Sequence, residues 1–313
     1  MSIFVNRNLL QLSAQGENSF YGHLTILAKY CGLGVKPWLN GYLQHGWNGC
    51  DGFSNYAGHK RLSKKYIWSK RALDDLLSRG GKNAHVIGSP WLYNLKTKNR
   101  LEANPVSISK KIIAYPLHAQ PWAPKNYLHS EYASYLKENY GEITISLHWS
   151  EYSNFEILNA YKSLGHTPIT YGVGTPWIKG FDNHFLDNQL SQLENHGKIV
   201  TNAMQTSVLY ALSLGLQVEF GGPASWKKKI DEVGTYGDYG QDYWREKVLT
   251  QPDKTWKTEL GFEELLPPEE LVATLGWNKS IRLNSAFVVS RVADILKDGS
   301  MIEKLSYLTK GRN

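Results

Sequence analysis

The feature that most constrains the fold is a repeated order of a short β-rich run, a turn and a helical stretch along most of the chain. The predicted strands are residues 38–44, 84–87, 111–115, 142–147, 167–171, 198–201 and 217–220. The predicted helices are residues 22–30, 69–78, 130–139, 154–164, 181–195 and 206–214. Short apolar strands that alternate with helices are typical of parallel sheets with helices on both faces. The sequence therefore predicts an α/β protein.

Two Rossmann-like halves of similar size are predicted, because the turn-rich segment 120–124 favours a connection between them. We place the domains at residues 1–135 and 136–313. A further helix is predicted to open within residues 263–270, since proline fits a first helical turn and carboxylates favour its positive end. Two halves that face each other leave a cleft at the carboxyl ends of their strands, where such folds bind ligands.

The net charge of +7 fits a phosphorylated substrate, an anionic lipid surface or a nucleic acid. Because the basic residues form no concentrated stripe and no nucleic-acid motif occurs, we expect no nucleic-acid partner. The short cluster Lys227–Lys229 is either a solvated surface or a contact with lipid headgroups or an anionic acceptor. The 11 Trp and 19 Tyr suit both a sugar-binding cleft and an ordinary core.

Two cysteines alone make neither a disulfide framework nor a four-cysteine zinc site, which favours a reduced, cytoplasmic protein. No signal peptide is predicted, and no run of about 18 apolar residues predicts a membrane span. We expect any contact with the inner membrane to be peripheral, on its cytoplasmic face.

The first motif is Gln44-His45-Gly46-Trp47, at the end of a predicted strand. A histidine at a strand end, followed by glycine, is expected to face the cleft. There its near-neutral pKa suits it to remove a proton from an acceptor hydroxyl. Asp51 either orients this imidazole or is itself the base. A structural histidine at a turn is the alternative interpretation.

Two further strands of the first half are predicted to deliver polar or aromatic groups to the same cleft. The run that ends at Ile87 breaks into Gly-Ser-Pro followed by aromatic residues, which predicts a substrate wall formed by Ser89, Trp91 and Tyr93. The run that ends at Tyr115 is followed by His118. These side chains are expected to bind substrate, together with Gln44, Gly46 and Trp47.

In the second half, strand 142–147 is followed by His148, which is expected to meet the leaving phosphate. Gly172 and Gly174 form a Gly-x-Gly pair that lacks the rest of a dinucleotide fingerprint. The pair still allows close approach of the backbone. We therefore predict that Tyr171, Gly172 and Asp182 contact the base or ribose of a nucleotide.

The most informative stretch is a strand that ends at Thr201 and Asn202, followed by a helix that begins at Thr206 and Ser207. Hydroxyls and free backbone N–H groups at the positive end of a helix bind phosphate. These four residues are the predicted phosphate site, and an N-cap without a ligand is the alternative. No carboxylate pair or Cys/His spacing suits a metal, so we expect no metal ion and no other cofactor.

Four motifs, taken in order, resemble those of bacterial capsule and O-antigen biosynthesis proteins. They are residues 44–47, 88–93, 115–118 and 201–210. These proteins are GT-B-like glycosyltransferases, often associated with nonulosonic acids such as sialic, legionaminic or pseudaminic acid. The His-Gly element is also similar to one in teichoic-acid glycerophosphate transferases, whose histidine is taken as the catalytic base. Thr206 and Ser207 match the hydroxyl pair with which GT-B sialyltransferases hold the CMP phosphate, whereas Ala119 stands where many relatives have serine.

The resemblance, with the motifs, implies a metal-independent inverting glycosyltransferase of surface polysaccharide synthesis. Its donor is expected to be a nucleotide sugar, with a CMP-nonulosonate favoured over CMP-Kdo or a UDP- or GDP-sugar. Its acceptor is expected to be a glycan or a lipid-linked glycan. Two alternatives stay open: a CDP-glycerol-type glycerophosphotransferase of the same fold, and a non-catalytic carbohydrate-binding assembly protein.

Overall fold

The computed structural model describes residues 17–34, 37–53, 64–101, 109–117, 126–176, 178–223 and 240–278. It contains two sheets in which every strand pair is parallel. The first sheet has the order β1-β2-β3, with β1 Tyr42–Leu43, β2 Lys65–Ile67 and β3 Ala84–Val86. The second has the order β6-β5-β4-β7-β8, with β4 Ile112–Tyr115, β5 Thr144–Ser146, β6 Thr167–Ile169, β7 Lys198–Thr201 and β8 Gln217–Phe220. The α/β class with parallel sheets is thus confirmed.

Helices connect these strands, as the sequence pattern predicts. They are α1 His23–Tyr30, α2 Lys70–Ser78, α3 Pro90–Thr97, α4 Asn126–Tyr140, α5 Trp149–Tyr152, α6 Phe155–Lys162, α7 Phe185–Glu194, α8 Thr206–Ser213, α9 Gly240–Thr250, α10 Pro252–Leu260 and α11 Pro268–Leu275. A single 3₁₀ turn, Phe20–Gly22, precedes α1. Helix α11 confirms the predicted opening near Pro268, which occupies its first turn ahead of two glutamates.

In the second sheet, the order in which the chain adds strands reverses at β4. From the central β4 the chain adds β5 and β6 on one side, then returns to place β7 and β8 on the other. The carboxyl ends of β4 and β7 therefore flank a topological switch point, which is where open α/β sheets leave a ligand crevice.

Sheet membership changes between β3 and β4, earlier than the predicted domain boundary at residues 135/136. Strand β4 pairs with β5 and β7, so a strand from within residues 1–135 is central to the second sheet. A single hydrophobic cluster also joins the two sheets, since Trp68 and Trp91 belong to the same cluster as Ile113 and Val200. The division of the chain into two domains at residue 135 remains a prediction.

The 3₁₀ turn before α1 ties the first sheet's side of the molecule to a loop after β6. The amide of Tyr21 donates to the carbonyl of Gly174 at 2.9 Å. Gly22 has a left-handed φ of +82°, and a Cβ there would collide with the carbonyl oxygen of Asn183. This close approach of two backbones requires glycine.

Gly22→Ala is therefore expected to lower the free energy of unfolding by about 1–3 kcal/mol more than Gly32→Ala does. Gly32 also has a left-handed φ, of +68°, but a Cβ there would meet nothing within 4 Å, so its variant isolates the backbone cost. Urea denaturation of both variants, followed by circular dichroism, measures the difference. Equal losses would show that the contact with Asn183 is not tight.

Candidate functional site

Loops that follow the carboxyl ends of strands from both sheets meet at one place. Behind β1, the amide of Trp47 donates to Thr206 Oγ1 at 3.0 Å, and Thr206 begins α8 behind β7. A Cβ on Gly46 would lie 3.5 Å from the same oxygen. We call this place the inter-sheet site and define it by His45, Gly46, Gly174, Thr206 and Ser207, with Tyr21 and His23 from the segment that crosses between the sheets.

His45 lies where the sequence predicts it, on an exposed loop directly after β1. Its ring stacks on Phe20, with ring centroids 4.9 Å apart and an interplanar angle of 27°. The stack covers one face of the imidazole, and the ring itself stays exposed at the surface of the site. Its role as the base stays a prediction.

Gln44 holds the loop that carries His45. The prediction that it contacts substrate is wrong, because its side chain is buried and hydrogen-bonded within the protein. Its side-chain oxygen accepts the amide of Trp68 at 2.9 Å, and its side-chain nitrogen donates to the carbonyl of Gly46 at 3.0 Å. The carbonyl of Gln44 also accepts the indole N–H of Trp68 at 3.0 Å. The amide oxygen thus links the end of β1 to the end of β2, and the amide nitrogen holds the loop that carries His45.

Trp47 and Asp51 are also corrected, because both side chains point into the protein. Trp47 donates its indole N–H to Glu259 Oε2 at 2.7 Å and meets the ring of Trp244 edge to face. Asp51 is 4% exposed, and its Oδ1 accepts the amide of Phe53 at 2.8 Å in a tight turn. A buried turn carboxylate does not suit the alternative catalytic base.

A buried ionic network holds the loop that follows His45. The guanidinium of Arg71 pairs with Glu259 at 2.9 Å and donates to the carbonyls of Gly49 at 3.2 Å and Cys50 at 2.9 Å. Glu259 is 3% exposed and accepts Trp47 as well. Helix α10, which supplies Glu259, thereby joins α2 and the His45 loop, a link that sequence reasoning missed.

The predicted substrate wall of Ser89, Trp91 and Tyr93 is wrong, because all three residues are fully buried. Ser89 caps helix α3, with Pro90 in its first turn. Trp91 stacks on Tyr210 at 4.3 Å and donates to the Ser213 hydroxyl at 2.8 Å. The hydroxyl of Tyr93 donates to the carbonyl of Ile87 and accepts the amide of Leu266. His118 lies outside the described residues.

At the start of α8, the two side-chain hydroxyls predicted to bind phosphate, those of Thr206 and Ser207, differ in their hydrogen bonding. The hydroxyl of Thr206 is occupied by the backbone of Trp47. Ser207 Oγ is buried and, within the described residues, has no hydrogen-bond partner. Gln205 fills the switch point by donating its side-chain amide to the carbonyl of Tyr115 and to Thr201 Oγ1, each at 2.9 Å. The helix thus begins at the switch point with one uncommitted hydroxyl.

Thr201 and Asn202 are buried and make structural links, and their contact with phosphate stays a prediction. Thr201 donates its hydroxyl to the carbonyl of Tyr115 at 2.8 Å, which ties the end of β7 to the end of β4. Asn202 Oδ1 accepts the amide of Leu117 at 2.7 Å, and its carbonyl accepts Arg245 at 2.7 Å. Their side chains build the switch point.

The structure brings together the three residues predicted to contact a base or ribose. Gly172 has a φ of +95°, and a Cβ there would lie 3.1 Å from Cβ of Asp182. Asp182 accepts the amide of His184 at 2.7 Å and the side chain of Asn188 at 3.0 Å. Tyr171 is buried, with its hydroxyl bonded to that of Tyr115.

Beside Tyr171 lies a cavity of about 370 Å³ at the carboxyl end of β6. Its lining is mostly polar or aromatic and includes Tyr152, Thr170, Asn188 and Gln192. Burial raises the pKa of the Tyr171 hydroxyl well above its ordinary value, so this group acts as a neutral hydrogen-bonding partner. Contact of these residues with a nucleotide stays a prediction.

His148 follows β5 and caps the short helix α5. Its Nδ1 accepts the amide of Ser150 at 3.4 Å and pairs with the hydroxyl of that residue at 2.7 Å, while Glu151 accepts the amide of His148 at 3.1 Å. Strand β4 separates β5 from β7, so His148 belongs to the other side of the switch point from α8. Its action on the leaving phosphate remains a prediction.

Phe20, Tyr21, His23 and Gln205 belong to the site, and sequence reasoning missed them. The run Phe20-Tyr21-Gly22-His23 carries one usable signal, an aromatic-glycine break ahead of a helix. Nothing in the run shows that it crosses to the second sheet.

Within the described ranges, no three His, Cys, Asp or Glu side chains assemble as a group that could hold a metal ion. Among the helices of the same ranges, none combines the length and the apolar character needed to cross a bilayer.

No family model and no curated protein sequence matches the chain. Among solved structures, similarity is found to Staphylococcus aureus MnaA with UDP, at 16% identity and a TM-score of 0.37, over 83% of this chain and 73% of that one. Neisseria meningitidis UDP-GlcNAc 2-epimerase with UDP-GlcNAc is 14% identical, with a TM-score of 0.32, over 68% of this chain and 59% of that one. The wall teichoic acid polymerase TagF is 14% identical, with a TM-score of 0.30, over 77% of this chain and 58% of that one. At these values the likeness identifies neither the family nor the activity of this chain.

Proposed function

We propose that the chain is a glycosyltransferase of bacterial surface polysaccharide synthesis, with its reaction centre in the inter-sheet site. The observation that carries the proposal is the hydrogen bond between Trp47 and Thr206. It brings a strand-end histidine of one parallel sheet to a helix start at the switch point of the other. A base and an anion-binding helix start on opposite sides of one site are what group transfer from a phosphorylated donor needs.

In this proposal the donor phosphate lies at the first turn of α8. The backbone N–H groups there carry the positive end of the helix dipole, and Ser207 Oγ supplies a hydroxyl that no described residue uses. His45, on the facing loop, removes the proton from the acceptor hydroxyl as the new bond forms. Phe20 holds the imidazole flat against the loop. His148 neutralises or protonates the departing phosphate from the β5 side.

The donor we favour is a CMP-nonulosonate, transferred by a metal-independent inverting mechanism. The neutral Tyr171 hydroxyl, Gly172 and Asp182 lie together at the end of β6 and suit a base or ribose. The acceptor is a glycan or a lipid-linked glycan. We place the enzyme in the cytoplasm, with the acceptor reached at the inner membrane surface.

Calorimetric titration of the protein with CMP, CDP, UMP, UDP and GDP, without metal, tests this function. Selective binding of CMP is expected, and Ser207→Ala is expected to weaken it about tenfold or more, because one hydrogen bond to a charged phosphate is lost. Ser213→Ala, at the other end of α8, is the control and is expected to leave the affinity unchanged.

The nucleotide that binds decides between the alternatives. Preference for UDP or GDP would keep a glycosyltransferase and replace the donor. Preference for CDP would direct product analysis to a phosphodiester rather than a glycosidic bond, the mark of glycerophosphate transfer. Binding of none of the five would contradict the proposal and favour a non-catalytic carbohydrate-binding protein.

A further inference from the structure

His23 is a completely buried histidine with neither ring nitrogen satisfied. Its exposed fraction is 0%, and within the described residues both Nδ1 and Nε2 are without a hydrogen-bond partner. Native proteins satisfy most buried polar side-chain atoms, so a ring with two unsatisfied nitrogens needs a physical explanation.

The other buried histidines of the protein show the ordinary arrangement. His166 accepts the amide of Ile143 at 3.4 Å and contacts the carbonyl of Ala133 at 3.0 Å. His196 contacts the carbonyl of Gln192 at 2.6 Å and the hydroxyl of Thr144 at 3.1 Å. A third, His129, contacts the hydroxyl of Tyr161 at 3.0 Å. Within the described residues, each of these three imidazoles is held by at least one hydrogen-bond partner, whereas His23 has none.

The position of His23 places this ring in the inter-sheet site. It is the first residue of α1, and its ring lies 5.8 Å from the ring of Tyr21 and 6.1 Å from that of Trp68, which follows β2. Burial, together with the charge of the nearby His45, lowers its pKa to about 3. The ring is therefore neutral at physiological pH, with one donor and one acceptor nitrogen.

The backbone ahead of His23 is held in a costly conformation. Tyr21 is a non-glycine residue with a left-handed φ of +56°. Such a conformation persists only where the surroundings enforce it, and here the bond from Tyr21 to Gly174 and the contact of Gly22 with Asn183 do so. The strained turn therefore fixes His23 at the point where the two sheets meet.

We propose that His23 is a further binding residue of this site, whose imidazole pairs with a hydroxyl of the sugar held beside His45. A phosphate or carboxylate oxygen only accepts, so it would satisfy the donor nitrogen of the neutral ring and leave the acceptor nitrogen without a partner. A sugar hydroxyl both donates and accepts, which matches the two ring nitrogens that no described residue engages. The proposal rests on the proposed function, because that function supplies the sugar.

The test compares His23→Leu with His166→Leu in urea denaturation and in calorimetric titration. The titrants are CMP, CMP-N-acetylneuraminate, UDP and UDP-N-acetylglucosamine. His23→Leu is expected to unfold at the same or a higher urea concentration than the wild-type protein, because it removes an unsatisfied polar group. It is also expected to bind the nucleotide sugar about tenfold more weakly, with the affinity for the matching free nucleotide unchanged. His23→Gln, which keeps a donor and an acceptor, should recover part of that affinity.

His166→Leu is expected to do the reverse, losing stability and keeping affinity, since it breaks two satisfied hydrogen bonds. A loss of stability in His23→Leu as large as in His166→Leu would overturn the proposal, as would an unchanged affinity for the nucleotide sugar. If the wild-type protein binds none of the four titrants, the proposed function fails. Free N-acetylneuraminic acid and N-acetylglucosamine then replace them. Weaker binding of either by His23→Leu supports the inference, and no difference overturns it.

Discussion

Replacement of Glu259 by alanine is expected to lower the free energy of unfolding by about 3–5 kcal/mol. The carboxylate is 3% exposed and is shared by the guanidinium of Arg71 and the indole N–H of Trp47. Its removal leaves a partly buried cation and a buried donor without their common acceptor. Breaking one side of a buried pair costs much more than the net worth of the pair. Urea denaturation followed by circular dichroism measures the loss.

Two further variants separate the stability that comes from the buried hydrogen-bond network from the stability that comes from the negative charge. Glu259→Gln keeps an oxygen acceptor for both donors, so its loss is expected to be smaller than that of the alanine variant. Glu142→Ala breaks the exposed ion pair with Lys137 at 2.9 Å and is expected to cost less than about 1 kcal/mol. A Glu259→Ala protein no less stable than Glu142→Ala would show that the His45 loop is held by other contacts.

The pattern of strands and helices predicts the fold class well because it depends on local periodicity. Strands β7 and β8 are observed at the predicted residues. The sequence missed β2, which is only three residues long and contains Lys65 as a buried side chain. The Gly-Ser-Pro break after Ile87 predicts a substrate wall, but a serine cap followed by proline also begins a helix, and that is what the structure shows.

The candidate site is less predictable from the sequence, because its geometry depends on contacts between distant segments. Position at a strand end correctly predicts an exposed His45. The same rule fails for Trp91, which lies in the first turn of the helix after β3 and points inward to stack on Tyr210. Nothing local to His23 shows that its ring nitrogens have no hydrogen-bond partner within the described residues, since that depends on segments that come from both sheets. Residue type therefore predicts the chemistry available, and tertiary packing decides which side chains are free to perform it.

His45→Ala is expected to lower turnover about 10²–10⁴-fold, the usual contribution of a general base, while the donor affinity stays within about twofold of the wild-type value. The ring is exposed, and the loop that carries it is also held by the two side-chain hydrogen bonds of Gln44, which the substitution does not remove. Turnover is measured as nucleotide released from the donor identified by calorimetry, with a bacterial surface oligosaccharide as acceptor. Donor affinity is measured on the same preparation.

The control is His184→Ala, which removes another exposed imidazole, from the residue that precedes α7. Within the described residues that ring pairs with Asp187 at 3.3 Å near the surface, and its loss is expected to leave turnover unchanged. Near-normal turnover of His45→Ala would remove His45 from the mechanism. A loss of donor affinity as large as the loss of turnover would make His45 a binding residue instead. A drop in turnover alone separates proton removal from donor binding, as expected when the base and the phosphate site come from facing sheets.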